Sequence, residues 1–108
     1  MAECFYHPEE GKRLRRLREL QPEVFQAFVD FDRKVFTEGN LAVKTKELIA
    51  VAVAHTTQCP WCIDAHTKRA KKAGATEAEV AEVVFVAMAL RAGAAWAHGS
   101  IALRAFED

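Results

Sequence analysis

Apolar residues recur at helical spacing along almost the whole chain. Leu14, Leu17 and Leu20 stand three apart, which predicts one face of a first helix. Pro8 suits its first turn, where a missing N–H costs nothing, and Glu9 and Glu10 suit its positive end. Pro22 opens a second helix, whose apolar positions Val24, Phe25, Phe28, Val29, Phe31, Val35 and Phe36 form a wide stripe at helical spacing, with Phe25, Phe28, Val35 and Phe36 read as core and Gly39 as the stop. A third helix is expected from Val43 to Thr57, and its stretch Leu48 to Ala54 has no polar face. Cys59-Pro60 marks the next boundary, because the residue before proline is pushed out of the helical region. A fourth helix follows from Pro60 to Ala73, with Lys68, Arg69, Lys71 and Lys72 at its negative end and Gly74 as the stop. Thr76-Glu77-Ala78-Glu79 fits a capping box for a fifth helix. Gly93 is read as a break or kink in it, before a last helix reaching about Phe106. A strand at Val83 to Val86 is conceivable, but the cap before it and the alanines after it favour helix. The pattern predicts an all-α bundle of about six helices.

The third and fifth helices are apolar nearly all round, and such a helix needs cover on every side. The chain has 108 residues, which predicts a single domain spanning 1–108. A domain of that size buries only about 60–70% of its unfolded-chain surface. It would struggle to hide both helices and the Phe-rich stripe, so a homo-oligomer is expected.

Composition narrows the function classes. Fifteen basic residues balance fifteen acidic ones, which argues against a general binder of nucleic acid or of membrane surfaces, since both draw on surplus Lys and Arg. With 51% hydrophobic and 28% charged residues, the chain is not of the disordered class. Three cysteines are too few for a secreted disulfide scaffold. No basic-then-apolar leader opens the sequence, and the longest apolar run, Leu48 to Ala54, is far short of the roughly 20 residues of a membrane span. A soluble, cytoplasmic protein without membrane or nucleic-acid partners is the expectation.

The chemistry is concentrated in His55-Thr56-Thr57-Gln58-Cys59-Pro60-Trp61-Cys62-Ile63-Asp64-Ala65-His66. Cys59 is placed to be the N-cap of the fourth helix, where a side chain accepts from backbone N–H groups and the positive helix end can lower a thiol pKa. Cys62 lies one turn later on the same face, near enough for a disulfide. His66 follows Cys62 by four residues, so its imidazole lies over the next turn and can take the thiol proton or, as imidazolium, stabilise the thiolate. Glu47 heads the apolar run of the third helix and needs a partner, because burying a carboxylate alone is costly. If the third and fourth helices form an antiparallel hairpin, Glu47 and His66 fall about one turn out of register, so contact is permitted but not demanded.

Other readings stand beside this one. Cys59 and Cys62 could be inert buried thiols, and His55, Cys59, Cys62 and His66 have ligand types that could bind zinc, although their crowding within twelve residues makes closure awkward. Cys4 reads as a free thiol near the terminus. Lys12 to Arg18 reads as a solvated basic face. His98 and Trp96 read as packing or interface residues, and His7 has no evident partner.

Glu47, followed by Cys59-Pro60-Trp61-Cys62 and then His66, resembles the carboxymuconolactone decarboxylase family, and within it the alkylhydroperoxidase (AhpD-like) branch. The likeness rests on the pattern Glu-x11-Cys-x2-Cys-x3-His in a helical setting and extends over roughly residues 20–108. It implies an AhpD-like all-α fold, trimers or hexamers, and thiol-dependent reduction of peroxides without metal, haem or flavin. It would make Cys62 the peroxide-attacking residue, Cys59 the proton donor and resolving thiol, and Glu47 and His66 the proton relay. Recycling would come from a dithiol donor such as a lipoyl-bearing protein. Trp61 departs from the pattern, standing where well-known peroxidase members carry histidine. The helix-end argument alone would favour Cys59 as the more acidic thiol.

Overall fold

A computed structural model describes residues His7–Asp108; Cys4 lies outside them. A 3-10 turn at Pro8–Glu10 leads into α1 (Gly11–Leu20), followed by α2 (Pro22–Val35), α3 (Val43–Thr57), α4 (Pro60–Lys72) and α5 (Glu77–Glu107). Among the described residues every regular element is helical, including Val83 to Val86. The chain divides into two compact units, Met1–Val43 and Lys44–Asp108.

In the first unit, Pro22 occupies the first turn of α2 as expected. The Arg18 guanidinium of α1 lies 5.5 Å over the Phe25 ring, and Phe25 meets Phe28 at 6.0 Å between ring centres. The basic face of α1 is solvated: Arg13 pairs with Glu10 at 2.7 Å and Arg16 with Glu19 at 3.4 Å. The expectation that Phe25, Phe28, Val35 and Phe36 form a core is corrected. Phe28 and Val35 are exposed, Phe25 and Phe36 are only half-buried, and α2 contains no buried residue. The stripe is present, but among the described residues it stays largely exposed. The stop also comes earlier than Gly39: α2 ends at Val35, where the Phe36 N–H bonds the Asp32 carbonyl and the Thr37 hydroxyl bonds that of Arg33.

In the second unit, α3 and α4 form an antiparallel hairpin, and α5 runs parallel to α3. Lys44 meets Glu79 at 2.9 Å near the start of both helices, and the Arg91 guanidinium donates to the Thr56 carbonyl near the end of α3. Val51, Ala54, Ala70 and Ala87 are the buried apolar residues, one small core shared by the three helices.

The capping box at Thr76 is formed, with both reciprocal bonds to Glu79, at 3.1 and 2.9 Å. The Thr76 N–H and the Lys44 ammonium hold the Glu79 carboxyl below its usual range, so this contact is kept above ordinary carboxylate pH and lost as pH falls through the lowered pKa. The expected break at Gly93 does not occur. One glycine in a helix costs only about 1 kcal/mol relative to alanine, and its alanine-rich flanks propagate the helix. As a result α5 is 31 residues long, and it is long and apolar enough by length and composition to cross a membrane. Counting consecutive apolar residues concealed this.

The α3–α4 turn is built by a left-handed residue. Gln58 has φ 57°, and the Cys59 N–H returns 3.1 Å to the Ala54 carbonyl, the six-to-one bond of a Schellman cap. The same motif ends α4, with Gly74 at φ 101° and the Ala75 N–H bonded to the Ala70 carbonyl at 2.9 Å. Glycine is at home there and glutamine is not. Gln58→Gly is therefore expected to stabilise the protein by about 0.5–1 kcal/mol, the left-handed penalty relieved less the glycine entropy, read from urea denaturation midpoints.

Candidate active site

The turn delivers Cys59 with both ends engaged. Its N–H closes the cap of α3, and its Sγ accepts from the Cys62 N–H at 3.3 Å, making it the N-cap of α4. Both thiols are free and half-buried. The Cys62 thiol is pushed up to about 11. The main cause is its hydrogen bond to the Cys59 sulfur, which favours the thiol form; burial and the charge on Cys59 add to it. Cys62 thus rests as a thiol at neutral pH and needs a base to become a nucleophile.

This has a measurable consequence. Replacing Cys59 by alanine removes both its hydrogen bond and its charge, so the Cys62 inflection should fall toward the ordinary thiol value of about 8.5. Below that pH the thiolate fraction rises by about two orders of magnitude, and the weaker nucleophilicity of a less basic thiolate takes back about half of it. Iodoacetamide should therefore alkylate Cys62 about tenfold faster in Cys59→Ala than in the parent. An unchanged inflection would show that Cys59 does not control it.

The other half of the site lies one turn along α4. Glu47, Val51 and Ala54, at i, i+4 and i+7, are the buried residues of α3. Glu47 is only 2% exposed, and both of its oxygens are satisfied. Oε2 lies 2.7 Å from His66 Nδ1, and Oε1 lies 3.0 Å from Arg69 Nη2. The register uncertainty in the sequence is resolved in favour of direct contact, because the tight turn at Gln58 and Cys59 sets the hairpin register. Against an ionised carboxylate, which can only accept, a neutral ring would carry its proton on Nδ1 and its lone pair on Nε2.

Glu47 and His66 are therefore brought together, as are Cys59 and Cys62. Arg69 is the residue that sequence reading missed. Its place three residues after His66 on the same helical face was the available signal, obscured by the run of basic residues around it. His55 is engaged elsewhere, its Nδ1 held 2.8 Å from the Val51 carbonyl of its own helix. Among the described residues no three His, Cys, Asp or Glu side chains are grouped so as to hold a metal ion. Trp96 and His98 are exposed on α5.

The hairpin thus carries a dithiol at the start of α4 and a carboxylate–imidazole contact that joins α3 to α4, and comparison identifies the family. Residues 22–105 match the model of the carboxymuconolactone decarboxylase family, and the chain belongs to it. It is 50% identical over 82 residues to uncharacterized protein 4 in the cox locus of Paracoccus denitrificans, covering 76% of this chain and 74% of that protein. An alkyl hydroperoxide reductase of Mycobacterium tuberculosis is 36% identical over 74 residues, which are 63% of this chain but only 21% of that longer protein. Among solved structures, one from Methanobacterium thermoautotrophicum superposes with a TM-score of 0.75 at 39% identity, covering 79% of this chain and 96% of the other. A carboxymuconolactone decarboxylase family protein of Legionella pneumophila gives 0.72 at 34% identity over 92% and 88%. A family member from Thermotoga maritima, whose description raises a part in antioxidative response, gives 0.59 at 32% over 61% and 68%.

Proposed function

We propose that the protein is a thiol-dependent peroxidase that reduces hydroperoxides through Cys62 and Cys59. The observation that carries the reading is the Glu47–His66 contact placed one turn from a thiol that needs a base. His66 Nε2 takes the Cys62 proton, and the thiolate attacks the distal peroxide oxygen. The O–O bond breaks, the alkoxide leaves as alcohol with the proton returned by His66, and Cys62 becomes a sulfenic acid. The Cys59 thiol, giving up its proton, attacks the Cys62 sulfur; water leaves and a disulfide remains. An external dithiol, such as a lipoyl-bearing protein, reduces it by exchange. The alkyl hydroperoxide reductase of M. tuberculosis, similar over part of its length, supports this reading.

The direct test is stoichiometric. Reduced protein given one equivalent of an organic hydroperoxide should release one alcohol and lose two hydrogens per chain by intact mass, with peptide mapping joining Cys59 to Cys62. Peroxide that survives unconsumed would sink the proposal. A second reading, thiol–disulfide exchange without peroxidase activity, draws on the N-cap position of Cys59. Faster reaction with a small-molecule disulfide than with any hydroperoxide would select it.

The proposal includes self-association, as trimer or hexamer. Beyond Arg91, α5 continues for sixteen helical residues, about 24 Å, with Trp96 85% and Phe106 91% exposed. Two open apolar hollows mark its length, one around Phe85 and Val86 and one around Trp96 and Leu103. Copies of the chain, rather than a bilayer, are proposed as the cover, in keeping with a cytoplasmic protein. Sedimentation should give three or six times the 12.0 kDa protomer mass, and Trp96→Glu with Leu103→Glu should shift it toward monomer. A parent protein sedimenting as monomer, or extracted only by detergent, would refute this part.

A further inference from the structure

The geometry points to Arg69 as a positioning residue that sets the tautomer of His66 through Glu47. The inference rests on the proposed role of His66 as base. Arg69 binds Glu47 Oε1 at 3.0 Å, while Oε2 meets His66 Nδ1 at 2.7 Å. The two contacts fix the carboxylate from both sides, and the three residues come from α3 and α4 across the hairpin.

Glu47 is almost wholly buried, whereas the Arg69 side chain is 45% exposed. The guanidinium therefore stays partly hydrated while placing a permanent positive charge against a buried carboxylate. Compensated in this way, Glu47 remains an acceptor. An acceptor facing Nδ1 requires Nδ1–H, which leaves the lone pair of the neutral ring on Nε2, the nitrogen assigned the thiol proton in the proposed reaction. Without Arg69 the buried carboxylate loses its permanent counter-charge, and desolvation of the lone negative charge favours uptake of a proton by the Glu47–His66 pair. A protonated Glu47 donates to Nδ1. The carboxyl proton comes from solvent, the ring's own proton then sits on Nε2, and the lone pair that serves as base is lost. Arg69 thus acts through two other residues, in the manner of groups that orient a histidine from behind.

The test reads the tautomer directly. In reduced, uniformly 15N-labelled protein, above the ordinary imidazole pKa of about 6.5, the His66 ring shifts should show Nδ1–H, with His66→Gln as the blank. Arg69→Met should lose this pattern, giving Nε2–H or a mixture, and Arg69→Lys should retain it. Peroxide turnover should fall about 10- to 100-fold in Arg69→Met and recover in Arg69→Lys. Should Arg69→Met fail to fold by circular dichroism, Arg69→Gln takes its place under the same criteria. An Nδ1–H pattern that survives loss of the charge overturns the inference, as does a parent protein that lacks the pattern. The NMR signal is independent of turnover: an inactive parent with the expected tautomer shift would count against the peroxidase and leave the role of Arg69 standing.

Discussion

Cys62→Ser is expected to abolish hydroperoxide reduction, lowering turnover by about 10³-fold or more to the uncatalysed background. A serine hydroxyl in that place cannot be made nucleophilic by one imidazole at neutral pH, and it has no sulfur to hold a sulfenic oxygen. Cys59→Ser should also stop turnover, but for a different reason: the attack still occurs and the sulfenic acid on Cys62 is not resolved. A dimedone-type reagent separates the two, labelling Cys59→Ser after a pulse of peroxide and leaving Cys62→Ser unlabelled. The opposite pattern would exchange the roles of the two thiols. That exchange is a real alternative in physical terms, because the Cys62 thiol is pushed up to about 11 by its neighbour while Cys59 sits at the positive end of α4. The assignment to Cys62 rests on His66 lying one turn beyond it on α4.

The second large effect is expected at Glu47. Glu47→Gln keeps the size of the side chain and an oxygen facing His66, but it removes the charge that supports an imidazolium. General base catalysis of this kind contributes about 10²- to 10⁴-fold, and turnover should drop by about the lower figure or more. The Cys59–Cys62 disulfide should still form with a chemical oxidant, since exchange does not need the relay. Stability should fall by only about 1–3 kcal/mol, because Arg69 can rehydrate its exposed end. Turnover within a fewfold of the parent would mean that His66 works without Glu47, or that the base lies elsewhere.

Most of the helical architecture was legible in local chemistry. The proline at the start of α2, the capping box at Thr76, the N-cap at Cys59 and the glycine stop at Gly74 are short-range signals, and each is realised. The extent of α5 was not legible. Glycine is a weak breaker, and whether Gly93 ends a helix depends on what its neighbours sustain over several turns. Nor could burial of the Phe stripe on α2 be read from periodicity, which says which residues share a face but not whether anything lies against it.

The site divides along the same line. The sequence by itself determined the two thiols, their place at a helix start and the histidine one turn later, because all are contained within a single turn or two of backbone. It also singled out Glu47, as a carboxylate at the head of an apolar run. Only the tertiary structure decided that Glu47 meets His66 directly, that Arg69 takes the second oxygen, and that His55 turns back to its own helix. Those contacts span nineteen residues or more in the first two cases. They depend on a hairpin register set by one left-handed residue, Gln58, a conformation that a glutamine does not announce in sequence.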